Sequence, residues 1–481
     1  LLKVGGFSPE FFMNYEETEL CNRITRAGFS IYSVPSAQIT HLEGRASYIK
    51  QSRLYFLYEG QYIYFRKVYG IFGCRLIFAI TQLKSYIRLF QFLLLSNKER
   101  RSYWRMKLET NREVFHPAIA PYRVDFFNSI DEIFDAKFYF EFDNALEQTF
   151  DQKRLQEYLS FIPKYLSPGF LGIKNLRFDV LSILWKNKAD VVFISEYNLL
   201  GLLVCLFKIL VNWRLKIVTV CDDNVKMAQN ASWVKRIMRY VMLHILSAVI
   251  LADPKSMEWY GTSLKYKAKY CYFPIIQSDA IFRERLKQAL PLSVSLTKKY
   301  DLIGKKVILY VGRLVEVKNV SLLLKAFHDV IGKSPEARLF IVGDGELQAE
   351  LKRQIRGYIY MHSVQFVGKQ EGLDLFAYYN IAQIFVLPSI YEPFGTVINE
   401  ALLAGCYTLC SSAAGSACLI KPHRNGDLFD PDSNTELGEK LLFSIRHCEG
   451  VKDVLLKENN MYHSYDQYIT SLFNQLNSII N

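Results

Sequence analysis

From about residue 112 onward the chain alternates short β-branched or aromatic runs with helical stretches. No other feature constrains the fold as strongly. The first series of runs falls at 137–142, 189–194, 215–220 and 248–252, and Phe273-Pro274 ends it. A second series follows at 306–311, 338–342, 364–367, 383–387 and 407–410. Strand, helix and strand at this spacing give parallel sheets covered on both faces. Two such series in tandem predict an α/β chain with two doubly wound, Rossmann-like domains, 112–275 and 276–481, facing one another across a cleft. Open sheets of this kind bind ligands beyond the carboxyl ends of their strands, so the cleft is the expected site. No internal repeat or low-complexity tract is present.

The 481 residues are 50% apolar and 22% charged, the mix of chains that bury a large core. Intrinsic disorder, collagen-like and disulfide-scaffold classes are thereby excluded. The aromatic share of 15% points to packed interfaces or membrane-surface contact. Nine cysteines without a C-x-x-C pair fit a reducing compartment. Net charge is +12, and residues 45–123 alone hold 15 Lys and Arg against 4 Asp and Glu. Such a stretch serves nucleic acid, anionic lipid or phosphate-bearing substrates equally well by charge. The chain carries no zinc, helix-turn-helix or RNP-type pattern, so nucleic acid is not an expected partner.

Before residue 112 the signals change. Gly5-Gly6 and Ser8-Pro9 mark a loop; Leu20, Ile24 and Ala27 recur at helical spacing, with Gly28 as the cap. Leu1 opens on what reads as the middle of a domain, so an N-terminally truncated piece is expected. Over 71–95, Thr81, Lys84, Ser85, Arg88 and Gln91 form one polar stripe on an otherwise apolar helix. Arg75, Lys84 and Arg88 break the apolar run well short of the roughly 20 residues that span a bilayer. Two readings stand: a helix lying on a membrane surface, or a core helix with one wet face. Residues 71–111 thus form a basic, amphipathic helical linker.

Chemistry concentrates in the second series. Its first strand runs into Gly312-Arg313-Leu314-Val315-Glu316-Val317-Lys318-Asn319. The glycine admits close backbone approach, and Arg313 and Lys318, five residues apart, can clasp one anionic group. By itself the octapeptide also fits a solvated loop. Farther on, Pro393 and Gly395 set up a helix start whose free N–H groups can hold phosphate. Glu392 precedes that helix and Glu400 lies two turns along it, roughly 12 Å away at helical rise. That exceeds the roughly 5–9.5 Å between the carboxylates of glycoside hydrolases, so the pair is expected to grip two parts of one long ligand.

Other motifs read as structure. Gly343-Asp344-Gly345 lacks the third glycine of a dinucleotide fingerprint and predicts a tight strand-to-helix turn. Asp430-Pro431-Asp432 predicts a turn rather than a metal-binding D-x-D. His116, His244 and His447 have no partners at ligand spacing. Asp222-Asp223-Asn224 closes a strand of the first series and faces the expected cleft.

With "YVGRLVEVKN", "LFIVGDGE", "VQFVGK" and "EPFGTVINEALLAG" in that order, residues 112–460 resemble a group 1 (family 4) glycosyltransferase of the GT-B fold. The resemblance implies transfer of a sugar from a nucleotide diphosphate-sugar to an acceptor with retention at the anomeric carbon, without metal or cofactor. It implies that Arg313 and Lys318 neutralise the departing diphosphate, that Glu400 holds the ribose hydroxyls and that Glu392 contacts the transferred sugar. Gly312 and the amides of Phe394, Gly395 and Thr396 would line the donor. Preplaced cations and amides act most where charge grows in the transition state. Relatives carry a histidine near Asp222 and Asp223; this chain departs from them, and the acceptor-side group stays open. Tyr122 and Arg123 resemble an "APYR" opening on the acceptor side, and equally fit a loop-to-helix entry.

"VGGFSPEFFMNYEETELCNRITRAGF" followed by "PSAQITHLEGRAS" resembles the closing third of a family 2 glycosyltransferase of the GT-A fold. That resemblance covers residues 1–70 and places a general base at Glu17, where the family has Asp, and a metal-binding histidine at His41. The nucleotide-binding half and its D-x-D are absent from the sequence, so a divalent metal is expected only where that half is supplied. The reading is an enzyme of surface polysaccharide or glycolipid synthesis, cytoplasmic and peripheral at the inner membrane face. Its expected partners are a nucleotide-sugar, a glycan or lipid-linked acceptor and an anionic membrane surface. The alternative is a catalytically degenerate GT-B scaffold or binding module.

Overall fold

A computed structural model of the chain describes residues 5, 7–8, 15–31, 61, 63–73, 75, 112–144, 150–264, 266 and 268–480. The chain forms two compact units, Leu1–Ser167 with Ile183–Val191, and Pro168–Ser182 with Val192–Asn481.

In the first unit a helix spans Glu16–Arg26 and stops at Ala27. Gly28 follows at φ 84°, the left-handed cap expected of it. Glu19 anchors this helix from inside: its carboxylate accepts from Arg23 at 2.8 Å and from Ser8 Oγ at 3.0 Å. Strands β1 (Arg112–His116), β2 (Lys137–Phe140) and β3 (Lys164–Tyr165) are parallel in the order β3-β2-β1. Helix Val124–Phe134 connects β1 to β2 and buries Phe126, Phe127, Ile130 and Phe134. Phe127 meets His116, Phe138 and Phe140 edge-on, which fixes the helix against the strands. His116 passes its Nδ1 to the Ala118 carbonyl at 2.9 Å, the structural role expected of it. Of the linker proposed over 71–111, residues 71–73 and 75 are helical, and the rest lies outside the described residues.

The second unit continues the alternation. Strands β4 (Val191–Ser195), β5 (Lys216–Cys221), β6 (Ala248–Leu251) and β7 (Lys269–Tyr272) follow in the order β4-β5-β6-β7. Six more strands form a sheet of their own, ordered β10-β9-β8-β11-β12-β13. They are β8 (Lys306–Val311), β9 (Ala337–Val342), β10 (Val364–Gly368), β11 (Ile384–Leu387), β12 (Tyr407–Ser411) and β13 (Gly426–Phe429). All ladders within this sheet are parallel. Its central strands are apolar and buried, and helices Val320–Ile331 and Asn434–His447 close one face through Leu323, Phe327, Leu437 and Leu441. The last helix, Tyr465–Ile480, packs on β7, with Tyr468 edge-on to Tyr272 and Tyr465 edge-on to Phe273.

Both series are therefore present, with β1, β3, β7 and β13 added to the strands anticipated. Their sequences explain the omission. β3 is two exposed residues, β7 is half polar, and β13 opens on Gly426 and carries Asp427, whose carboxylate accepts the Tyr407 hydroxyl at 2.6 Å. No helix among the described residues is long and apolar enough to cross a membrane.

Gly343-Asp344-Gly345 forms the expected turn, and its glycines serve a contact between loops. Leu314 N–H donates to the Asp344 carbonyl at 2.7 Å and Leu347 N–H to the Leu314 carbonyl at 3.0 Å. A Cβ on Gly343, where φ is 138°, would lie 1.9 Å from the Gly312 carbonyl oxygen. Gly343→Ala must therefore push the loop after β8 away. The expected loss is about 1–3 kcal/mol, the scale of overpacking, read as a lower urea midpoint at unchanged slope.

Candidate functional site

The sheet order reverses between β8 and β11, which pair through Ile308↔Ile384 and Leu309↔Phe385. Neighbouring strands lead away on either side, so the loops after β8 and β11 part and leave a crevice at their carboxyl ends. Gly312 leaves β8 directly into the first loop, and Tyr310 Oη donates to the Arg313 carbonyl at 2.9 Å. Burial holds the Tyr310 phenol far above its usual range, so it stays a donor there. The Arg313 side chain is exposed and has no ion-pair partner among the described residues. Lys318 ends a short 3-10 turn, Glu316–Lys318, and its ammonium pairs with the Glu392 carboxylate. Ile390 N–H donates to the Val317 carbonyl at 3.0 Å, stitching the two loops together.

After β11, Glu392 is held by a bridge to Ala414, and Gly395 turns the chain at φ 90°. A Cβ there would meet Leu387 Cδ2 at 2.9 Å and Glu392 Cγ at 3.0 Å, so glycine alone fits the turn. The N–H groups of Gly395 and Thr396 have no acceptor among the described residues. Helix Val397–Leu403 then carries Glu400. Its Oε1 accepts from Gln277 Nε2 at 3.1 Å and its Oε2 from Tyr379 Oη at 2.8 Å. Burial pushes the Glu400 carboxyl up, against these two hydrogen bonds. Gln277 is fixed in turn, its N–H donating to Asn399 Oδ1 at 2.9 Å. The structure thus brings Gly312, Arg313 and Lys318 to the same strand ends as Glu392, Phe394, Gly395, Thr396 and Glu400.

The ends of β4 and β5 contribute a second charged cluster. Lys235, from helix Trp233–Leu243, lies 2.9 Å from both Glu196 Oε2 and Asp223 Oδ1. Glu196 sits immediately after β4 at φ 55°, a left-handed conformation that costs a non-glycine residue. Burial raises its carboxyl, against the pull of Lys235. Asp223 is 1% exposed, and its Oδ2 has no hydrogen-bond partner among the described residues. Asn224 caps the next short helix through Met227 N–H and donates from Nδ2 to the Glu392 carbonyl at 3.4 Å. Asp222 is half-buried beside them.

Glu196, Lys235, Gln277 and Tyr379 are functional candidates that the motifs did not single out. Glu196 was open to discovery, because it ends a strand at the ligand-binding edge. Arg123 lies in the first unit, buried, with its guanidinium 5.5 Å from the Phe126 ring centroid. Glu17 is exposed on its helix, and His41 lies outside the described residues. Asp430 closes a turn, accepting from Asp432 N–H at 3.0 Å, and His244 and His447 each bond a carbonyl of their own helix. No group of three metal-ligating side chains occurs among the described residues.

Residues 297–449 match the family of group 1 glycosyl transferases. An uncharacterized glycosyltransferase of Methanocaldococcus jannaschii is 36% identical over 122 residues, 25% of this chain and 31% of that protein. The 2-deoxystreptamine N-acetyl-D-glucosaminyltransferase of Niallia circulans is 26% identical over 184 residues, 38% of this chain and 46% of that protein. The chain thus spans less than half the length of either relative. Among solved structures, HepE of Anabaena in complex with UDP superposes with a TM-score of 0.56 at 16% identity, over 77% of this chain and 94% of that one. That likeness shows the fold: α/β with two Rossmann-like parallel sheets, the GT-B architecture.

Lys235 offers a direct check on the second cluster. Burial lowers its ammonium pKa, but Glu196 and Asp223 more than reverse this and hold it above its ordinary value. The ammonium itself is therefore fully charged at neutral pH and below and loses its proton only at strongly alkaline pH, so any loss of the pairing on acidification comes from the carboxylate side. Lys235→Met leaves two carboxylates unpaired and is expected to cost about 1–3 kcal/mol at pH 7. The deficit should shrink as pH falls from 7, because burial makes Glu196 take up its proton at a higher pH than an ordinary carboxylate. Urea unfolding of both proteins across that range measures it.

Proposed function

We propose that the protein is a nucleotide-sugar-dependent glycosyltransferase that retains the donor's anomeric configuration. The observation that carries this reading is the convergence of the Gly312–Lys318 loop and the Glu392–Glu400 segment on the strand ends where the sheet order reverses. In our reading, residues 276–481 bind the donor and 112–275 present the acceptor, a glycan or lipid-linked sugar. The HepE complex with UDP supports a nucleoside diphosphate at these strand ends.

In this reading the parts divide as follows. Glu400, prealigned by Tyr379 and Gln277, takes the ribose hydroxyls as a hydrogen-bond acceptor. The diphosphate meets Arg313, Lys318 and the N–H groups of Gly395 and Thr396. Lys318 exchanges Glu392 for the diphosphate as the donor enters, which frees the Glu392 carboxylate for the sugar hydroxyls. As the bond from the anomeric carbon to the diphosphate oxygen breaks, negative charge collects on the leaving group. Cations fixed beforehand stabilise that charge more than they stabilise the bound donor. Asp222, Asp223 and Arg123 are read on the acceptor side, with Lys235 and Glu196 as positioning residues. The enzyme would act at the cytoplasmic face of a membrane, where the basic stretch 45–123 meets anionic lipid. Residues 1–70, read as the closing part of a family 2 enzyme, take no part in this transfer.

Arg313→Ala is expected to lower turnover by about 10²–10³-fold, the loss of about 2.7–4 kcal/mol seen when one preorganised donor is removed. Lys318→Ala should act similarly. Release of nucleoside diphosphate from UDP- and GDP-sugars, with circular dichroism to verify folding, measures both; normal turnover in either folded variant refutes the assignment.

Because this reading holds the diphosphate with Arg313, Lys318 and backbone N–H groups, turnover should survive EDTA. Complete loss that Mn²⁺ or Mg²⁺ restores would mean that the diphosphate is held by an ion and not by Arg313 and Lys318.

A further inference from the structure

Away from these loops, a cavity of about 420 Å³ opens beside helix Trp233–Leu243. Arg236, Arg239, Tyr240, Trp259 and Tyr266 are among the residues that line it, and none of its lining residues is acidic. Arg239 is 5% exposed, its Nη1 has no hydrogen-bond partner among the described residues, and its guanidinium lies 5.4 Å from the Trp259 ring centroid. Neither arginine has an ion-pair partner among the described residues. A buried guanidinium without a counter-ion is costly, and its planar fork matches a phosphate. Tyr240, His244 and Tyr266 meet edge-on and form an aromatic cluster beside the cavity.

The same helix turns an apolar face outward. Trp233 is 73% exposed, Tyr240 57% and Ile237 54%. Helix Leu199–Leu210 packs beside it and adds exposed Ile209 and Leu210, with Trp213 just beyond. Residues 199–245 contain seven Lys and Arg and two Asp, and Asp223 is already paired with Lys235. A face of exposed aromatics and unpaired cations fits the headgroup region of an anionic bilayer. Residues 76–111 of this chain carry seven cations against two acids, and a second copy would bring the same charge, so both are electrostatically disfavoured as covers.

We propose that the Arg236–Arg239 cavity takes the phosphate of an anionic lipid headgroup while the Trp233–Ile237–Tyr240 face lies in the headgroup boundary. None of the residues that line the cavity belongs to the donor loops, and the proposal does not depend on sugar transfer. Co-sedimentation of the full chain with phosphatidylcholine vesicles, with and without phosphatidylglycerol, tests it. Binding should require phosphatidylglycerol. Arg236→Ser should weaken it about fivefold, because one cation near an anionic surface contributes about 1 kcal/mol. Arg239→Lys, which keeps the charge but loses the fork, should weaken it too, as should Trp233→Ser with Ile237→Ser at exposed positions that folding tolerates. Calorimetric UDP binding, measured in parallel, should be unchanged in every variant and separates this proposal from the donor-site reading. Equal binding to pure phosphatidylcholine, or vesicle binding that none of these variants alters, overturns the proposal. So does saturation of the cavity by inorganic phosphate without vesicle binding, or a dimer that buries the face and leaves vesicles unbound.

Discussion

The pairing of β8 with β11 is the constraint on which the site rests. Each strand has its sequential neighbours on the opposite side, so the chain must leave the two carboxyl ends in divergent directions. No other pair in this six-stranded sheet has that property. The gap is then narrowed by contacts of a second rank: the Lys318–Glu392 ion pair, the Ile390-to-Val317 hydrogen bond, and the glycine turn that lets the Gly343 loop touch Gly312. Topology opens the crevice, and side chains and bare backbone set its width.

Charge in this region is arranged in small partnered sets around that crevice. Lys318 is matched by Glu392, Lys235 is shared by Glu196 and Asp223, and Glu400 is held by two neutral hydrogen-bond donors. Burial raises the carboxyls of Glu196 and Glu400, and their donors act against that rise. Arg313 stands outside these sets, exposed and without an ion-pair partner among the described residues. An anionic ligand at these strand ends would meet that arginine and a lysine already paired with Glu392. Glu400, fixed by Gln277 and Tyr379, is positioned before a ligand arrives, which limits the reorganisation its part of the binding demands.

Much of this was legible in the sequence, and particular residues show why the rest was not. Apolar runs such as 306–311 announce a strand buried on both faces, and the glycine and cations that follow mark its ligand-binding end. β13 escaped because Gly426 and Asp427 deny it that apolar pattern; its place is set by pairing with β12 and by the Tyr407 hydroxyl. Glu400 was visible through its spacing from Glu392. Its partners were not, since Gln277 and Tyr379 lie 123 and 21 residues away and nothing local marks them. Glu196 bears a strain that only coordinates reveal, although its position just after β4 was a sufficient hint.

The C-terminal helix has an implication for where this protein can be divided. After residue 450 the chain runs without regular structure, pinned by Asn460 to Cys406, by Lys457 to Tyr379 and by Asn459 to Asp279. It then crosses to β7, and Lys216 Nζ reaches the Ile479 carbonyl at 3.2 Å. The family match ends at residue 449, before any of this. A chain ended at residue 449 would strip β7 of its cover and expose an edge strand able to pair with other chains. The last thirty or so residues act as a clasp, pinned at one end to Cys406 and Tyr379 and packed at the other on β7.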